Sequence, residues 1–414
     1  MIKLDLIKES IKRLDKSGIV YTLVNFAIYA IYFLRALLIP KILDSYSYGI
    51  FSVFNLYVKF ATIFDLGSIS YLQKEVAISL HNKNEYSFKL ERQVTFLNVV
   101  LVLISTFFFL LFNRDIANKI HFLDYLFWIL IAVFSQLYTI KTGILRSLEK
   151  FKVLSKVLLT NALLSTIIVL FFFVNVKNIY LIYLVYLLGV FLPIIVFIVK
   201  FKFGSVFPFR FLSHSWPIFL YNILVYLYTN IDKFVVKHNY SFLEFSTYSL
   251  YSTITASVFM AVSLLWSMFY SRIFSKKSDI AERLDTVNVL MIFMGLCILK
   301  TMYPVFGKLF PSYLENVQFY NVSLQYAALV CFLPNTLIKY LNDKRALFFV
   351  CSILVLHLGL VFFINSLHEF LLLLPLTSWL TYFFIEIIGI KSHNKLLLFV
   401  RILISILLVL VCIL

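Results

Sequence analysis

Acidic residues are scarce in this chain: 20 Asp and Glu in 414 residues, against 37 Lys and Arg. Charge of both signs makes up only 14% of the residues, whereas soluble domains carry about 25%. So little charge leaves no stretch polar enough for a separate soluble domain. There are only four cysteines, Cys297, Cys331, Cys351 and Cys412. All fall in apolar segments, which excludes a disulfide framework. No GxxxxGK[ST] run occurs, so the chain brings no ATPase of its own. HExxH and GxSxG are also missing, and the seven histidines show no ligand spacing with one another. The loops are short and hold no acidic pair of the kind a membrane glycan polymerase or glycosyltransferase would need. The chain is therefore expected not to be an enzyme and to use no cofactor and no metal.

What is present is apolar. Hydrophobic residues make up 62% of the chain and the mean hydropathy is +0.94. A helix needs about 20 apolar residues to cross a bilayer core. Thirteen segments of that length are expected, from 19–39, 46–70 and 93–112 through 215–237 and 245–270 to 369–390 and 396–414. The first eighteen residues, with Ile2, Leu6, Ile7, Ile11 and Leu14 set against lysines, read as an amphipathic interfacial helix. The first apolar run is span-length and lacks a small-residue cleavage site, so it reads as a span and not as a cleaved signal.

The loops alternate in positive charge. Lys3, Lys8, Lys12, Arg13 and Lys16 precede the first span, and Lys141, Arg146, Lys150 and Lys152 fall on the same side. The opposite loops hold only Lys41, Arg114, Lys119, Lys177, Lys237 and Lys308. Retention of Lys and Arg in the cytoplasm is the general bias, so a cytoplasmic N-terminus is expected. The net charge of +17 is then mainly a topology signal, helped by anionic lipid, and no nucleic-acid partner is implied.

The expected organisation is a cytoplasmic amphipathic stretch (1–18), an N-terminal six-helix bundle (19–200), a cytoplasmic linker (201–214), a C-terminal six-helix bundle (215–392) and an extra helix (396–414). At an offset of 200, the run Asp44-Ser45-Tyr46-Ser47-Tyr48-Gly49 aligns with Glu244-Phe245-Ser246-Thr247-Tyr248-Ser249. A parallel repeat or chance in a tyrosine-rich chain accounts for this.

Charges at hydrocarbon depth are costly and mark function by default. The candidates are Arg35, Lys59, Asp65, Asp232, Lys233, Lys300, Glu386 and Arg401. Residues three and four apart share a helix face. Tyr48, Ser52, Asn55, Lys59 and Thr62 form one stripe; Ser215, Asn222, Tyr226, Thr229 and Lys233 form another. Segments one and eight carry further polar stripes, while segment six, almost wholly apolar, should face lipid. A wet cavity between the halves, lined by segments one, two, seven and eight, is the simplest cause. Each feature has a plainer alternative. Ser and Thr stripes serve helix packing, Arg35, Lys300 and Arg401 can snorkel, and Asp65 and Glu386 suit caps or interfaces. Lys59 is too deep to snorkel easily. Asp232 needs a partner, with Arg35 and Lys59 as candidates. The cation excess suits an anionic substrate, such as a phosphate or an acidic sugar.

Several short motifs together resemble a known family. They are Arg35 to Pro40, Tyr48-Gly49-Ile50-Phe51, Phe64-Asp65-Leu66-Gly67, Lys74-Glu75, Gly143-Ile144-Leu145-Arg146, Ile231-Asp232-Lys233 and Leu309-Phe310-Pro311. In this order they resemble the bacterial O-antigen and polysaccharide repeat-unit flippases of the multidrug/oligosaccharidyl-lipid/polysaccharide exporter superfamily. Asp44-Ser45 and the thirteenth segment depart from that pattern. The resemblance implies an all-α polytopic membrane protein of two six-helix bundles with a central cavity and about 12–13 transmembrane helices. It implies a polyprenyl-diphosphate-linked oligosaccharide as substrate and H+ or Na+ as coupling ion. It also implies a polysaccharide polymerase and a chain-length regulator as partners, and a place in the bacterial cytoplasmic (inner) membrane. On this reading Arg35, Lys59, Lys233, Lys300, Asn55, Asn222 and Tyr226 bind substrate, and Asp232 and Asp65 supply ion coupling or cavity charge. A multidrug or cation antiporter of the same superfamily would favour acidic groups instead. A lipid II flippase is a nearer alternative.

Overall fold

The computed structural model describes residues 16–81, 88–113, 120–148, 150–173, 178–198, 209–257, 278–313 and 319–324, with a few single positions beyond them. Outside the described residues lie the amphipathic stretch up to residue 15, linker residues 201–208, the second part of segment eight, and nearly all of the chain beyond 324. Glu386 and Arg401 are among them.

Every regular element among the described residues is helical. In chain order these are α1 (Lys16–Ile42), α2 (Ser45–Ile63), α3 (Ser68–His81), α4 (Phe88–Phe112), α5 (Phe122–Ser147), α6 (Phe151–Phe173), α7 (Ile179–Ile198) and α8 (Phe209–Asn239). They are followed by α9 (242–257), α10 (Ser278–Leu309) and a 3-10 turn at Pro311–Tyr313. Among the described residues, four stretches are long and apolar enough to cross a membrane: Leu23–Ile42, Leu90–Leu111, Phe122–Ser147 and Leu290–Leu309. The bent pair α2 and α3 adds a fifth. Large apolar side chains on these helices point outward. Leu23 is 64% and Phe107 65% exposed, an arrangement suited to lipid and not to water. The protein is a multi-pass membrane protein.

The chain forms two compact units that do not follow chain order throughout. One comprises Met1–Arg35 and Phe60–Pro217; the other comprises Ala36–Lys59 and Ile218–Leu414. In the first unit, α3, α4 and α5 close around Ile69, Leu72, Val76, Val94, Ile140 and Ile144. The α6 and α7 helices pack along each other, and α7 also packs on α5. Segment six, which is α7, is thus less lipid-facing than its composition suggested. Ile182, Tyr183, Val185 and Ile194 are buried, while Leu184 and Ile195 remain exposed. A helix apolar all round suits burial as well as lipid, and composition cannot separate the two. Gly189 lets α7 approach α6, since a Cβ there would sit 3.0 Å from Ser165 Cβ.

In the second unit the two stretches matched at an offset of 200 both open helices, but with different caps. Asp44 caps α2 through Oδ1, which accepts from the Ser47 amide at 2.8 Å. The α9 helix opens with a capping box: the Ser241 amide donates to Glu244 Oε2 at 2.9 Å, and the Glu244 amide donates to Ser241 Oγ at 3.3 Å. The Ser246 hydroxyl then donates to the Ser45 carbonyl at 2.5 Å, tying α9 to the start of α2.

Gly49 explains itself here. A Cβ at Gly49 would lie 2.6 Å from Phe242 Cε1. A ring held in a packed corner cannot yield, so Gly49→Val should cost about 1–3 kcal/mol by overpacking. The measurement is thermal unfolding of the purified protein. Gly143→Ala is the comparison and should cost less. There the close atom is the amide end of Gln73, and a flexible side-chain end can swing away. Equal losses at the two positions would contradict this.

Segment two, read from sequence as one span over 46–70, is broken. The α2 and α3 helices meet at an angle of 53°. The break is the tetrapeptide Phe64-Asp65-Leu66-Gly67. Gly67 has φ 71 and Leu66 φ 52, a left-handed backbone at two successive positions, which ends an α-helix and is uncommon for leucine. Polar side chains satisfy the freed backbone, as an apolar setting demands. Asp65 Oδ1 accepts from the Gly67 amide at 2.9 Å and Oδ2 from the Ile69 amide at 3.2 Å. Gln136 Nε2, from α5, donates to the carbonyls of Ala61 and Thr62 at 3.1 and 2.9 Å. Asp65 is therefore the cap of α3.

Candidate functional site

The intramembrane charges fall into separate groups. In the second unit, α8 carries Asp232 and Lys233 and α2 carries Lys59. Asp232 is 1% exposed. Its Oδ2 accepts a hydrogen bond from the Tyr248 hydroxyl at 2.6 Å, while Oδ1 is buried and accepts none. Lys233 and Lys59 both act on this carboxylate electrostatically, and Lys59 also feels Lys233. The partner that Asp232 needs is thus a pair of lysines plus a tyrosine. Two cations to one anion leave the group net positive. Lys59 keeps an exposed side chain and Lys233 a partly buried one, so the cations remain approachable while the anion is sealed.

Tyr226 is buried about two turns earlier on α8, and its hydroxyl donates to the Leu56 carbonyl at 2.9 Å. It fastens α8 to α2 just where Lys59 projects. Asn55 and Asn222 are partly buried on the same two helices. Lys300 lies exposed on α10.

Arg35 belongs to the first unit and is built differently. Its guanidinium carbon lies 4.7 Å from the ring centre of Tyr32 and 4.5 Å from that of Tyr186. Its Nη1 donates to Ser165 Oγ at 2.7 Å. The Tyr32 hydroxyl in turn donates to Asn161 Oδ1 at 2.7 Å, and Asn161 Nδ2 donates to the Gly189 carbonyl at 2.7 Å. Aromatic faces suit a guanidinium because it is planar and weakly hydrated. Arg35 has five donors, so this setting orients it and leaves capacity for an anion.

The family model described as "Polysaccharide biosynthesis protein" matches residues 14–272. The chain belongs to this polysaccharide biosynthesis family. The matched region runs from α1 through α9 and includes Arg35, Lys59, Asp65, Asp232 and Lys233. No curated protein matches the chain. Among solved structures, one described as "Lipid II flippase MurJ, inward closed conformation" is similar with a TM-score of 0.54. It shares 15% identity over 95% of this chain and 98% of its own. A multidrug resistance MATE family transporter of the MOP superfamily, in an outward-facing conformation, has a TM-score of 0.49 at 13% identity over 95% of this chain and 97% of its own. This member of the polysaccharide biosynthesis family therefore has an all-α fold like that of the MurJ structure.

Several polar groups in this family member went unmarked in the sequence because they carry no charge. Asn98, Gln136, Asn161 and Ser165 lie in mostly apolar runs, and all four are buried and hydrogen-bonded across helices. A lone amide in an apolar run was the available signal. The ion pair of Glu91 on α4 with Lys141 on α5 is buried too. Its two members stand near opposite ends of their spans in sequence, where charges look interfacial.

Proposed function

We propose that the protein carries a polyprenyl-diphosphate-linked oligosaccharide, an O-antigen or capsule repeat unit, from the cytoplasmic to the periplasmic leaflet of the bacterial inner membrane. It does so by alternating access coupled to an ion gradient. The observation that carries this reading is the Lys59–Asp232–Lys233 group, two approachable lysines on α2 and α8 around one sealed carboxylate. Membership of the polysaccharide biosynthesis family supports it. A diphosphate demands positive charge, and lysine supplies it as a point charge. Asp232 keeps the two ammonium groups from repelling each other when the site is empty. Arg35, ring-stacked with donors to spare, is a second anion-binding group, suited to a phosphate or an acidic sugar.

Losing a desolvated charged contact costs about 2–5 kcal/mol. Lys59→Ala, expressed at a low level in cells lacking the native gene, should therefore lower surface glycan roughly thirtyfold or more. Full surface glycan in that strain would remove Lys59 from the binding site. The wider reading is tested by deletion of the gene, with lipid-linked repeat units expected to accumulate on the cytoplasmic leaflet. Arrested cell-wall growth with normal surface glycan would assign the substrate to the lipid II class instead.

A further inference from the structure

The α5–α6 hairpin gathers cations that the fold itself does not use. Arg146 lies in the last turn of α5, and Lys150, Lys152 and Lys156 stand at the start of α6; all four are exposed. The turn between the helices is tight. The Lys150 amide donates to the Leu145 carbonyl at 2.9 Å, and the Leu154 amide donates to the Lys150 carbonyl at 3.0 Å. Lys141, on the same helix as Arg146, is buried and paired with Glu91. Among the described residues, Lys150, Lys152 and Lys156 form no ion pair and no side-chain hydrogen bond. The stretch 146–156 holds one acid, Glu149, which lies outside the described residues, so the hairpin is net positive.

These placements are unfavourable in isolation. Lys152 lies in the first turn of α6, which has no acidic residue, and positive charge there opposes the helix dipole. Lys152 and Lys156 are four residues apart, a like-charge spacing that destabilises a helix. An external anion relieves both. The face on which they stand says what carries that anion. At 3.6 residues per turn, Lys152, Lys156 and Leu163 fall within about 40° of one another on α6. Leu163 is 39% exposed, while Val157, Asn161 and Ser165 turn the opposite face into the first unit. Leu163 lies about 10 Å further along the helix axis than Lys156. The cations therefore continue into an exposed apolar face. Beside them the Phe151 ring packs on Tyr21 at 5.2 Å, and aromatic rings at this level suit a membrane interface.

We propose that this face of α6 is a binding site for one acidic phospholipid, its phosphate held by Lys152 and Lys156 and an acyl chain lying along Leu163. A soluble polyanion would meet the lysines but have no use for the apolar continuation. A lipid without net charge would meet the leucine but leave the lysines uncompensated. On the topology expected from the loop charges, this end of α6 faces the cytoplasmic leaflet, where anionic lipid attracts Lys and Arg. Arg146, whose charge acts on Tyr29 and Tyr138 in the first unit, is not needed for the site. None of the residues proposed to bind substrate takes part, so occupancy does not depend on what the protein transports.

The test uses the purified full-length protein in detergent with phosphatidylglycerol or phosphatidylcholine added, read by native mass spectrometry of retained lipid and by thermal unfolding. Wild type should retain phosphatidylglycerol in preference to phosphatidylcholine and melt at a higher temperature in its presence. The preference should weaken as salt rises. One lysine near an anionic lipid contributes about fivefold in affinity. Lys152→Gln combined with Lys156→Gln should therefore lose roughly twentyfold of the phosphatidylglycerol affinity. In detergent without added lipid the same variant should melt no lower than wild type, because a like-charge pair has been removed. A lower melting temperature without lipid would assign the two lysines to packing and overturn the proposal. A wild type with no preference for phosphatidylglycerol would overturn it too, as would an undiminished preference in the variant. The control is Lys41→Gln with Lys308→Gln, which changes two exposed lysines in the last turns of α1 and α10. An equal loss in this control would reduce the effect to net charge and leave α6 without a site.

Discussion

Lys141→Ala is expected to cost about 3–5 kcal/mol of stability, because it removes one member of a buried ion pair with Glu91. Lys141 Nζ and Glu91 Oε1 form an ion pair whose side chains are only 9% and 10% exposed. The pair joins α5 to α4. Two residues further along α5, Gly143 takes Gln73 of α3 against its backbone. α3 and α4 therefore both approach α5 within one turn. Replacing both charges at once, Glu91→Gln with Lys141→Met, should recover most of the loss, since neutral groups of similar volume escape the desolvation penalty. Thermal unfolding and the monodisperse fraction after detergent extraction are the readouts. A single mutant as stable as wild type would show that the pair is dispensable. A double mutant no better than the single would show that its geometry, not charge balance, matters.

The second large effect is at Asp232. Asp232→Ala removes a carboxylate that acts on both Lys233 and Lys59, and with it the oxygen to which the Tyr248 hydroxyl donates at 2.6 Å. Breaking a buried charge group costs about 3–5 kcal/mol, so little folded protein should reach the membrane. Two milder changes divide that loss. Tyr248→Phe deletes one hydrogen bond to a charged acceptor and should cost about 1.5–3 kcal/mol. Asp232→Asn keeps an oxygen for Tyr248 but abolishes the charge. It should therefore fold better than Asp232→Ala while exporting far less glycan than wild type. Export by Asp232→Asn at the wild-type level would show that the carboxylate charge plays no part in the cycle. Glycan amount per folded molecule, measured beside melting temperature, separates the two contributions.

Some of this was legible along the chain. The apolar runs determined an all-helical membrane protein, because a bilayer leaves few ways to satisfy a backbone. Helical spacing placed Lys59 on one polar face and Lys233 on another, and the excess of cation over anion among the intramembrane charges was visible as a count. Asp65 was open to a capping role from its place near the end of a span. The family resemblance rested on Tyr48-Gly49-Ile50-Phe51 and Phe64-Asp65-Leu66-Gly67, and the structure supplies physical reasons for both: the Phe242 ring against Gly49 and the left-handed backbone at Leu66 and Gly67.

Other features depend on which helices meet, and no local pattern reports that. Arg35 between Tyr32 and Tyr186 requires α7 to lie beside α1, yet α7 looked like a lipid-facing helix because its apolar residues go all the way round. The choice of Tyr248 for Asp232 and of Gln136 for the end of α2 arises from neighbours far apart in sequence. The sequence by itself determined the solvent of this protein, its helical content and the excess of cation among its intramembrane charges, since these follow from composition and period. Only the tertiary structure decided which charges are balanced, which are sealed and which acceptors remain unused. Those depend on distances between helices, and apolar surfaces of similar shape can pack in more than one order.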